Sequence, residues 1–177
     1  MVVFDTSILA IALDATAAVP IDPLTGSPLV HARKRIDHLL KTLSESRAKI
    51  LLPTPVVAEY IAGGGPDKEK RLEMLTGSRS FKIVSFDLRA AVECGLIQDS
   101  DAGRKLSDHE TKAKVKYDRQ IIAIALAQGA GALYTGDKTL ATRATAAGIS
   151  AILTWDLPMP PEPPQMLFDY DVGSPAT

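Results

Sequence analysis

Short apolar runs alternate with amphipathic stretches along most of the chain. Runs of three to six residues predict strands at 2–5, 50–52, 81–86, 132–135 and 151–153. Between them, apolar residues spaced three and four apart predict helices at 30–46, 55–62, 67–75, 117–129 and 138–147, and one from Asp87 with Leu88, Ala91, Val92 and Leu96 on one face. This alternation is typical of a parallel sheet covered on both faces. We therefore predict an α/β fold, a three-layer α/β/α sandwich with a central parallel sheet of about five short strands.

Two stretches rich in proline interrupt the alternation. Residues 14–28 contain Pro20, Pro23, Gly26 and Pro28, which predict a loop or flap instead of a regular element. Further prolines cluster between residues 158 and 164 and predict an extended tail. We find no internal repeat and no second core. The chain is therefore predicted to form one domain over residues 1–153, followed by a proline-rich tail over residues 154–177.

Composition and charge narrow the class of protein. The chain has 177 residues, 46% hydrophobic and 23% charged, as expected for one soluble folded domain. Its net charge of −1 provides no overall attraction to nucleic acid, so any RNA contact requires a local basic patch. Cys94 is the only cysteine, which excludes an intrachain disulfide and suits a reducing cytoplasm. The apolar runs are too short for a signal peptide or a membrane span, so we expect a cytoplasmic protein without membrane contact.

Four acidic residues follow the predicted strands toward one edge of the sheet. Asp5 ends the first strand, and Asp137 follows the fourth directly. Glu59 lies in the second turn of the helix after the second strand. Asp118 is predicted to start the helix that leads into the fourth strand, at the same rim. Because open parallel sheets bind ligands at the carboxyl ends of their strands, these four acids predict one site.

Four carboxylates at one edge require a counter-charge. Two carboxylates about 4 Å apart repel each other by roughly 4 kcal/mol at an effective dielectric of about 20. Either one of them holds a proton or a cation lies between them. Oxygen ligands without cysteine or a well-placed histidine favour Mg²⁺ or Mn²⁺ over zinc. Such ions support in-line hydrolysis of a phosphodiester by an activated water.

Each acid also has an ordinary structural interpretation. Asp5 and Asp118 could cap helices, and Asp137 could be a turn residue. Glu59 is harder to explain in this way, because its neighbours on the predicted helix face are apolar and a charge there is costly unless it is paired. The hypothesis of a site therefore depends on the joint placement of all four residues.

Four segments in order resemble those of a PIN domain. They are VVFDTS at 2–7, LPTPVVAE at 52–59, YDRQIIA at 117–123 and YTGD at 134–137. Together they cover about residues 1–153. The resemblance implies a PIN-like α/β/α fold and a Mg²⁺- or Mn²⁺-dependent endoribonuclease. Single-domain members of this size include the VapC-like toxins of toxin–antitoxin pairs, so it further implies a homodimer held inactive by a small antitoxin protein.

The resemblance also implies roles for individual residues. Asp5, Glu59, Asp118 and Asp137 would be the metal-binding and catalytic acids. The hydroxyl groups of Ser7 and Thr135 would orient carboxylates or metal-bound water. The sequence departs from the compact toxins in two places, the longer proline-rich segment at residues 14–28 and the proline-rich tail after Trp155.

A basic stretch leads into the proposed site. It includes Lys112, Lys114, Lys116 and Arg119. These side chains could bind the phosphates of an RNA backbone, or they could form an ordinary solvated helix face. We predict that they contact RNA.

Two other functions compete with the nuclease. One is a catalytically silent PIN-like module that binds RNA or protein, and the presence of all four acids argues against it. The other is a phosphatase or phospho-acceptor with Asp5 as nucleophile, but such enzymes usually carry a second aspartate where this chain has Ser7. Residues 131–139 also resemble a phosphate-binding loop, which we reject because Asp137 interrupts the required Gly-Lys-Thr and would repel phosphate.

Overall fold

In the computed structural model, residues 1–100 and 111–161 are described. The strands are β1 (Val2–Phe4), β2 (Ile50–Pro53), β3 (Phe81–Val84), β4 (Ala132–Thr135) and β5 (Ser150–Leu153). The helices of these residues are α1 (Thr6–Leu13), α2 (Ala32–Glu45), α3 (Thr54–Ala62), α4 (Lys68–Gly77), α5 (Leu88–Ser100), α6 (Lys112–Ala127) and α7 (Lys138–Ala146). The strands form one parallel sheet in the order β3-β2-β1-β4-β5. The predicted PIN-like α/β/α fold with a five-stranded parallel sheet is confirmed.

The strand order changes direction at β1. The chain continues from β1 to β2 and β3 on one side of the sheet, and later to β4 and β5 on the other. Connections that leave in opposite directions open a crevice at the carboxyl ends of the two strands at the change point. Asp5 follows β1 directly, and Asp137 follows β4 after a single glycine. The topology alone therefore brings these two acids to one crevice.

Complete burial of the central strands explains their sequence. Val3 and Phe4 of β1 and Leu51 and Leu52 of β2 are fully buried. A strand covered by helices on both faces is apolar at successive positions and does not alternate with polar residues. These strands therefore appear in the sequence as short continuous apolar runs.

Helix α1 is absent from the sequence prediction. Ile8, Leu9 and Ile11 are all fully buried, and the rest of the helix consists mainly of alanine and leucine. A helix that is apolar on every side is typical of a buried element and gives no amphipathic period. Hydrophobic periodicity therefore could not detect it.

The apolar face predicted for α5 is exposed. Leu88, Val92 and Leu96 are 82%, 57% and 61% exposed, whereas Ala90 and Ile97 are buried in the core. Both sets of positions have helical spacing, so periodicity did not determine which face packs against the sheet.

The proline-rich segment forms a loop between α1 and α2, as predicted. Its two arms are joined by an isolated bridge between Ile21 and Pro28. Arg33 of α2 holds the start of the loop, donating to the backbone oxygens of Ile11 at 2.7 Å and Asp14 at 2.5 Å. We call residues 14–31 the insertion loop.

The described start of the tail packs against the domain. Thr154 and Leu157 are buried, and Arg35 of α2 donates to the backbone oxygens of Leu157 and Trp155. Residues 162–177 lie outside the described residues, so the predicted domain boundary at residue 153 stays a prediction. Among the helices of the described residues, none is long and apolar enough to cross a bilayer.

Candidate active site

A cavity of about 530 Å³ opens at the carboxyl ends of the strands, and all four predicted acids line it. Its lining consists of Asp5, Thr6, Ser7, Glu59, Ala113, Lys114, Tyr117, Asp118, Ile121, Asp137 and Leu140. These residues come from distant parts of the chain. We call this space the acidic cavity.

Asp5 is held in place by three neutral donors. Its Oδ1 accepts a hydrogen bond from the backbone N–H of Ile8 at 2.9 Å, which makes Asp5 the N-cap of α1. The Ser7 hydroxyl donates to the same oxygen at 2.8 Å, and the Thr135 hydroxyl donates to Oδ2. Asp5 is therefore both a helix cap and part of the cavity wall.

The two hydroxyl groups that orient Asp5 also fix the turn after β4. Ser7 Oγ accepts from the backbone N–H of Gly136 at 2.7 Å, and Thr135 Oγ1 accepts from that of Asp137 at 2.8 Å. A Cβ at Gly136 would lie 2.9 Å from Ser7 Oγ, so any side chain there would have to displace Ser7. Ser7 and Thr135 thus couple the position of Asp5 to that of Asp137.

Asp118 lies in the second turn of α6. That helix begins at Lys112, with Thr111 as its N-cap, so the predicted start at Tyr117 is wrong. The many charged residues before Tyr117 obscure the helical pattern in the sequence. Asp118 is buried, and its Oδ2 accepts from Arg143 Nη1 at 2.7 Å. The alternative interpretation of Asp118 as a helix cap is therefore excluded.

Asp137 caps one helix and pairs with another. Its Oδ1 accepts from the backbone N–H groups of Thr139 at 2.7 Å and Leu140 at 3.2 Å, at the start of α7. Its Oδ2 lies 2.6 Å from Lys114 Nζ of α6. Lys114 and Asp118 are four residues apart and therefore share one face of α6.

Glu59 reaches the cavity from α3 but is not surrounded by apolar groups. The residue is exposed, and its Oε2 accepts from the Thr6 hydroxyl at 2.6 Å. Glu59 therefore does not lie on an apolar face where its charge is costly, as the sequence predicted, although it does line the cavity.

The cavity disfavours negative charge on its two buried aspartates. Burial raises the pKa of Asp5 to about 6, against the lowering effect of hydrogen bonds from Ile8, Thr135 and Ser7. Burial and then the charge of Asp137 raise the pKa of Asp118 to about 6, although Arg143 acts in the opposite direction. Burial also tends to raise the pKa of Asp137, but its bonds from Lys114 and the α7 backbone lower it below the ordinary value.

These residues fit a hard divalent cation by their chemistry. The acidic side chains of the cavity offer only oxygen donors, the ligands that Mg²⁺ and Mn²⁺ prefer. Over residues 1–100 and 111–161, however, no three histidine, cysteine or acidic side chains are already grouped as metal ligands. Arg143 and Lys114 contact two of the four acids instead. A cation would therefore compete with these two side chains for the carboxylates.

The predicted basic residues lie on more than one face of α6. Of the four, Lys114 lines the acidic cavity. Lys116 and Arg119 are close enough to Cys94 of α5 to act on the pKa of its thiol, which burial raises. Contact of Lys112, Lys114, Lys116 and Arg119 with RNA stays a prediction.

Arg143 was not predicted as a site residue from the sequence. The side chain is 3% exposed and forms the buried ion pair with Asp118. A signal is present in the sequence, because Arg143 falls on the apolar face of α7 together with Leu140, Ala141 and Ala144. A charge at such a position requires a buried partner.

Comparison with solved structures identifies the fold. No protein-family model and no curated protein matches the chain. VapBC2 from Rickettsia felis, bound to a promoter DNA fragment, aligns with 15% identity and a TM-score of 0.58 over 86% of this chain and 98% of that one. DNA-bound VapBC from Salmonella typhimurium aligns with 17% identity and a TM-score of 0.56 over 86% and 97%. The chain has the PIN-like fold of the VapC toxins.

A third VapC structure extends this likeness. Mycobacterium tuberculosis VapC20, a sarcin-ricin loop cleaving toxin, aligns with 15% identity and a TM-score of 0.50 over 84% of this chain and 96% of that one. At such identities the VapC likeness establishes the fold, and the resemblance predicted from the four sequence segments is confirmed at that level.

Proposed function

We propose that this protein is a divalent-metal-dependent endoribonuclease that hydrolyses RNA phosphodiester bonds. The observation that carries the proposal is the convergence of Asp5, Glu59, Asp118 and Asp137 on one cavity. The VapC-like fold supports it, since one protein of this fold is a toxin that cleaves the sarcin-ricin loop.

The four acids would hold Mg²⁺ or Mn²⁺. Such an ion, when bound, supplies an activated water and stabilises the leaving oxygen of a phosphodiester. Ser7 and Thr135 keep the Asp5 carboxylate oriented through their hydroxyl groups. Lys114 places an ammonium group at the cavity wall, where a phosphate oxygen could replace Asp137 as its partner. Lys112, Lys116 and Arg119 would attract the backbone of a longer RNA.

Cleavage of end-labelled RNA tests this proposal. The substrates would include a sarcin-ricin loop hairpin and unrelated structured RNAs, incubated with Mg²⁺, Mn²⁺ or chelator. We expect cleavage that requires metal and that falls at least a thousandfold in Asp5→Asn, which leaves no buried cation unpaired, on the order expected when a key catalytic group is lost. Asp87→Asn is the matched control, because Asp87 is an exposed cap of α5 and Asn caps a helix equally well. Full activity of Asp5→Asn would contradict the proposal.

A second candidate function is a silent module that binds RNA or protein without cleaving it. The ion pairs of Asp118 with Arg143 and of Asp137 with Lys114 favour it, because they neutralise two acids without a metal. Calorimetric titration with Mn²⁺ separates the two functions. Binding that is lost in Asp5→Asn supports the nuclease, whereas no binding at millimolar Mn²⁺ supports the silent module.

We further propose that the protein is the cytoplasmic toxin of a toxin–antitoxin pair and forms a homodimer. The exposed apolar residues Leu88, Val92 and Leu96 on α5 are the surface we assign to self-association. Sedimentation of the wild type and of Val92→Lys tests the dimer, which the lysine should disrupt. A small gene beside this one, whose product suppresses the growth defect caused by this protein, would identify the antitoxin.

A further inference from the structure

A second cavity, of about 450 Å³, adjoins the acidic cavity. Ser7 and Asp137 line both. A polymer held at the acids would therefore have this second space directly beside the reacting position. Its size is within the range of small-molecule sites, about 300–1,000 Å³.

The walls of the second cavity differ in polarity. The insertion loop contributes an apolar wall that includes Val19 and Pro20, and the chain after β5 contributes Trp155. Ser7, Asp137 and Lys138 provide polar groups. A ligand with a flat apolar face and a hydrogen-bonding edge suits such a space.

We propose that the second cavity binds the nucleobase next to the scissile phosphate of a single-stranded RNA, with Trp155 as its packing surface. The inference rests on the proposed nuclease function of the acidic cavity. Proteins that bind unpaired RNA commonly stack bases on aromatic side chains and hydrogen-bond their edges. A nucleobase has both properties, whereas a phosphate or a simple carboxylate would meet the Asp137 charge.

Helix α2 anchors the start of the insertion loop and the backbone at Trp155. Arg33 holds the first residue of the insertion loop through the Asp14 backbone oxygen at 2.5 Å. Asp14 also pairs with Arg71 of α4 at 3.0 Å. Arg35, two residues further along α2, holds the backbone on which Trp155 lies. The cavity therefore has anchored walls, as a site that selects a base requires.

Lys138 supplies a cation at the rim. It is the first residue of α7, a position where the positive end of the helix dipole disfavours a lysine. An RNA phosphate beside the bound base would give this ammonium group a partner that compensates for the unfavourable position.

Fluorescence of Trp155 tests the proposal directly, because the chain has one tryptophan. The protein would carry Asp5→Asn to prevent cleavage without leaving a buried cation unpaired, and the probe would be a short unpaired RNA that contains the cleaved sequence. We expect the RNA to quench the emission in a saturable manner. In parallel, labelled RNAs with one abasic nucleotide at successive positions should show a single position, next to the scissile bond, where affinity falls on the order of tenfold.

Variants assign this effect to the cavity. Trp155→Ala should lose on the order of tenfold in affinity for intact RNA and become insensitive to the abasic position. Trp155→Phe should retain most of the binding. Lys138→Ala, which removes an exposed side chain, should weaken binding several-fold and reduce its salt dependence. Leu24→Ala is the control, because Leu24 belongs to the same loop but points to solvent, 93% exposed.

The outcomes separate this inference from the proposed function. Metal-dependent cleavage without quenching and without an abasic effect would overturn the base site and leave the nuclease standing. Quenching by RNA without any cleavage by the wild type would contradict the nuclease and, with it, a base site defined by a scissile phosphate, and would leave the cavity as part of a module that binds RNA without cleaving it. Emission that responds to a co-expressed partner protein and not to RNA would assign the cavity to a protein and overturn the proposal.

Discussion

Asp5 and Asp118 line the same cavity and have pKa values raised to about 6, but different groups surround them. Asp5 is oriented by a backbone N–H and two hydroxyl groups, all neutral. Asp118 is paired with the guanidinium of Arg143, and its neighbour Asp137 with the ammonium of Lys114. The Asp5 carboxylate is thus oriented, but no cation of the protein neutralises its charge. On the side of Asp118 and Asp137, cationic side chains neutralise the carboxylates.

This difference indicates how the two parts would respond to a divalent cation. Neutral donors fix the direction of the Asp5 carboxylate and leave its charge for a metal ion. A metal ion could bind Asp118 or Asp137 only by displacing their cationic partners or by sharing the carboxylates with them. Changing one partner at a time therefore tests whether the two parts are as distinct as their contacts indicate.

The largest loss of stability should follow removal of the buried cation, Arg143. Arg143→Met removes the partner of Asp118 and leaves a buried charge, which should cost about 3–5 kcal/mol of unfolding free energy. Urea denaturation near neutral pH measures this loss. Adding Asp118→Asn should recover most of it, because the unpaired charge is then gone. A single variant as stable as the wild type would show that Arg143 is not the compensating charge.

At Asp5, whose hydrogen-bond partners are all neutral, removal of the negative charge should stabilise the protein. A carboxyl whose pKa is raised on folding contributes stability below its unfolded pKa and loses it as the pH rises through the folded pKa of about 6. Asp5→Asn should therefore be more stable than the wild type near pH 7 in chelator, by up to about 3 kcal/mol, and equal to it near pH 4. Thermal unfolding at both values measures the difference. A stability gap that is the same at both pH values would contradict the burial of an ionised Asp5.

Gly136 lies in the turn between the Asp5 side and the Asp137 side of the acidic cavity, so a methyl group there should disturb both. Gly136→Ala would force its Cβ against Ser7 Oγ and close to Thr154 Oγ1, at 2.9 and 3.3 Å. We expect a loss of about 1–3 kcal/mol in unfolding free energy, together with weaker Mn²⁺ binding. Gly131→Ala is the matched control, since its nearest contact would be an ordinary 3.8 Å. Equal stabilities of the two variants would count against the close packing of this turn.

The smallest change in stability should follow removal of Lys114. Its pair with Asp137 is 42% and 28% exposed on the two side chains, so Lys114→Ala should cost less than about 1 kcal/mol. The same variant should bind Mn²⁺ at least about threefold more tightly, as measured by calorimetry, because a cation that competes for Asp137 is lost. Lys112→Ala, on the same helix but outside the cavity lining, should change neither quantity. Weaker Mn²⁺ binding by Lys114→Ala would instead indicate that the ammonium group supports the metal site.

The fold was predictable where burial leaves a clear pattern. The apolar runs of β1 and β2 and the amphipathic period of α2 locate these elements to within a few residues. Helix α1 was missed because it is apolar all round, and the start of α6 because charged residues surround it. Burial on all sides removes the amphipathic period of α1, whereas α6 begins at a local cap, Thr111, which hydrophobic periodicity does not register.

The acids of the candidate site were predictable, and so were the hydroxyl groups of Ser7 and Thr135 beside Asp5, but the cationic partners of the other acids were not. The four acids follow from the rule that parallel sheets bind ligands at their carboxyl edge. The partner of Asp118, Arg143, lies 25 residues away on another helix, and only the three-dimensional structure pairs them. The second cavity also could not be foreseen, because its walls come from the insertion loop and from Trp155, far apart in the sequence.

The attachment of the insertion loop has an evolutionary consequence. The acids follow the sheet strands or lie on packed helices, so changes there would disturb chemistry and stability together. The wall formed by Val19 and Pro20 belongs to a surface loop that Arg33 fixes at its start. Loops of this kind tolerate changes in length and composition. Under the proposed function, relatives could therefore diverge in the RNA sequence they select while they keep the same four acids.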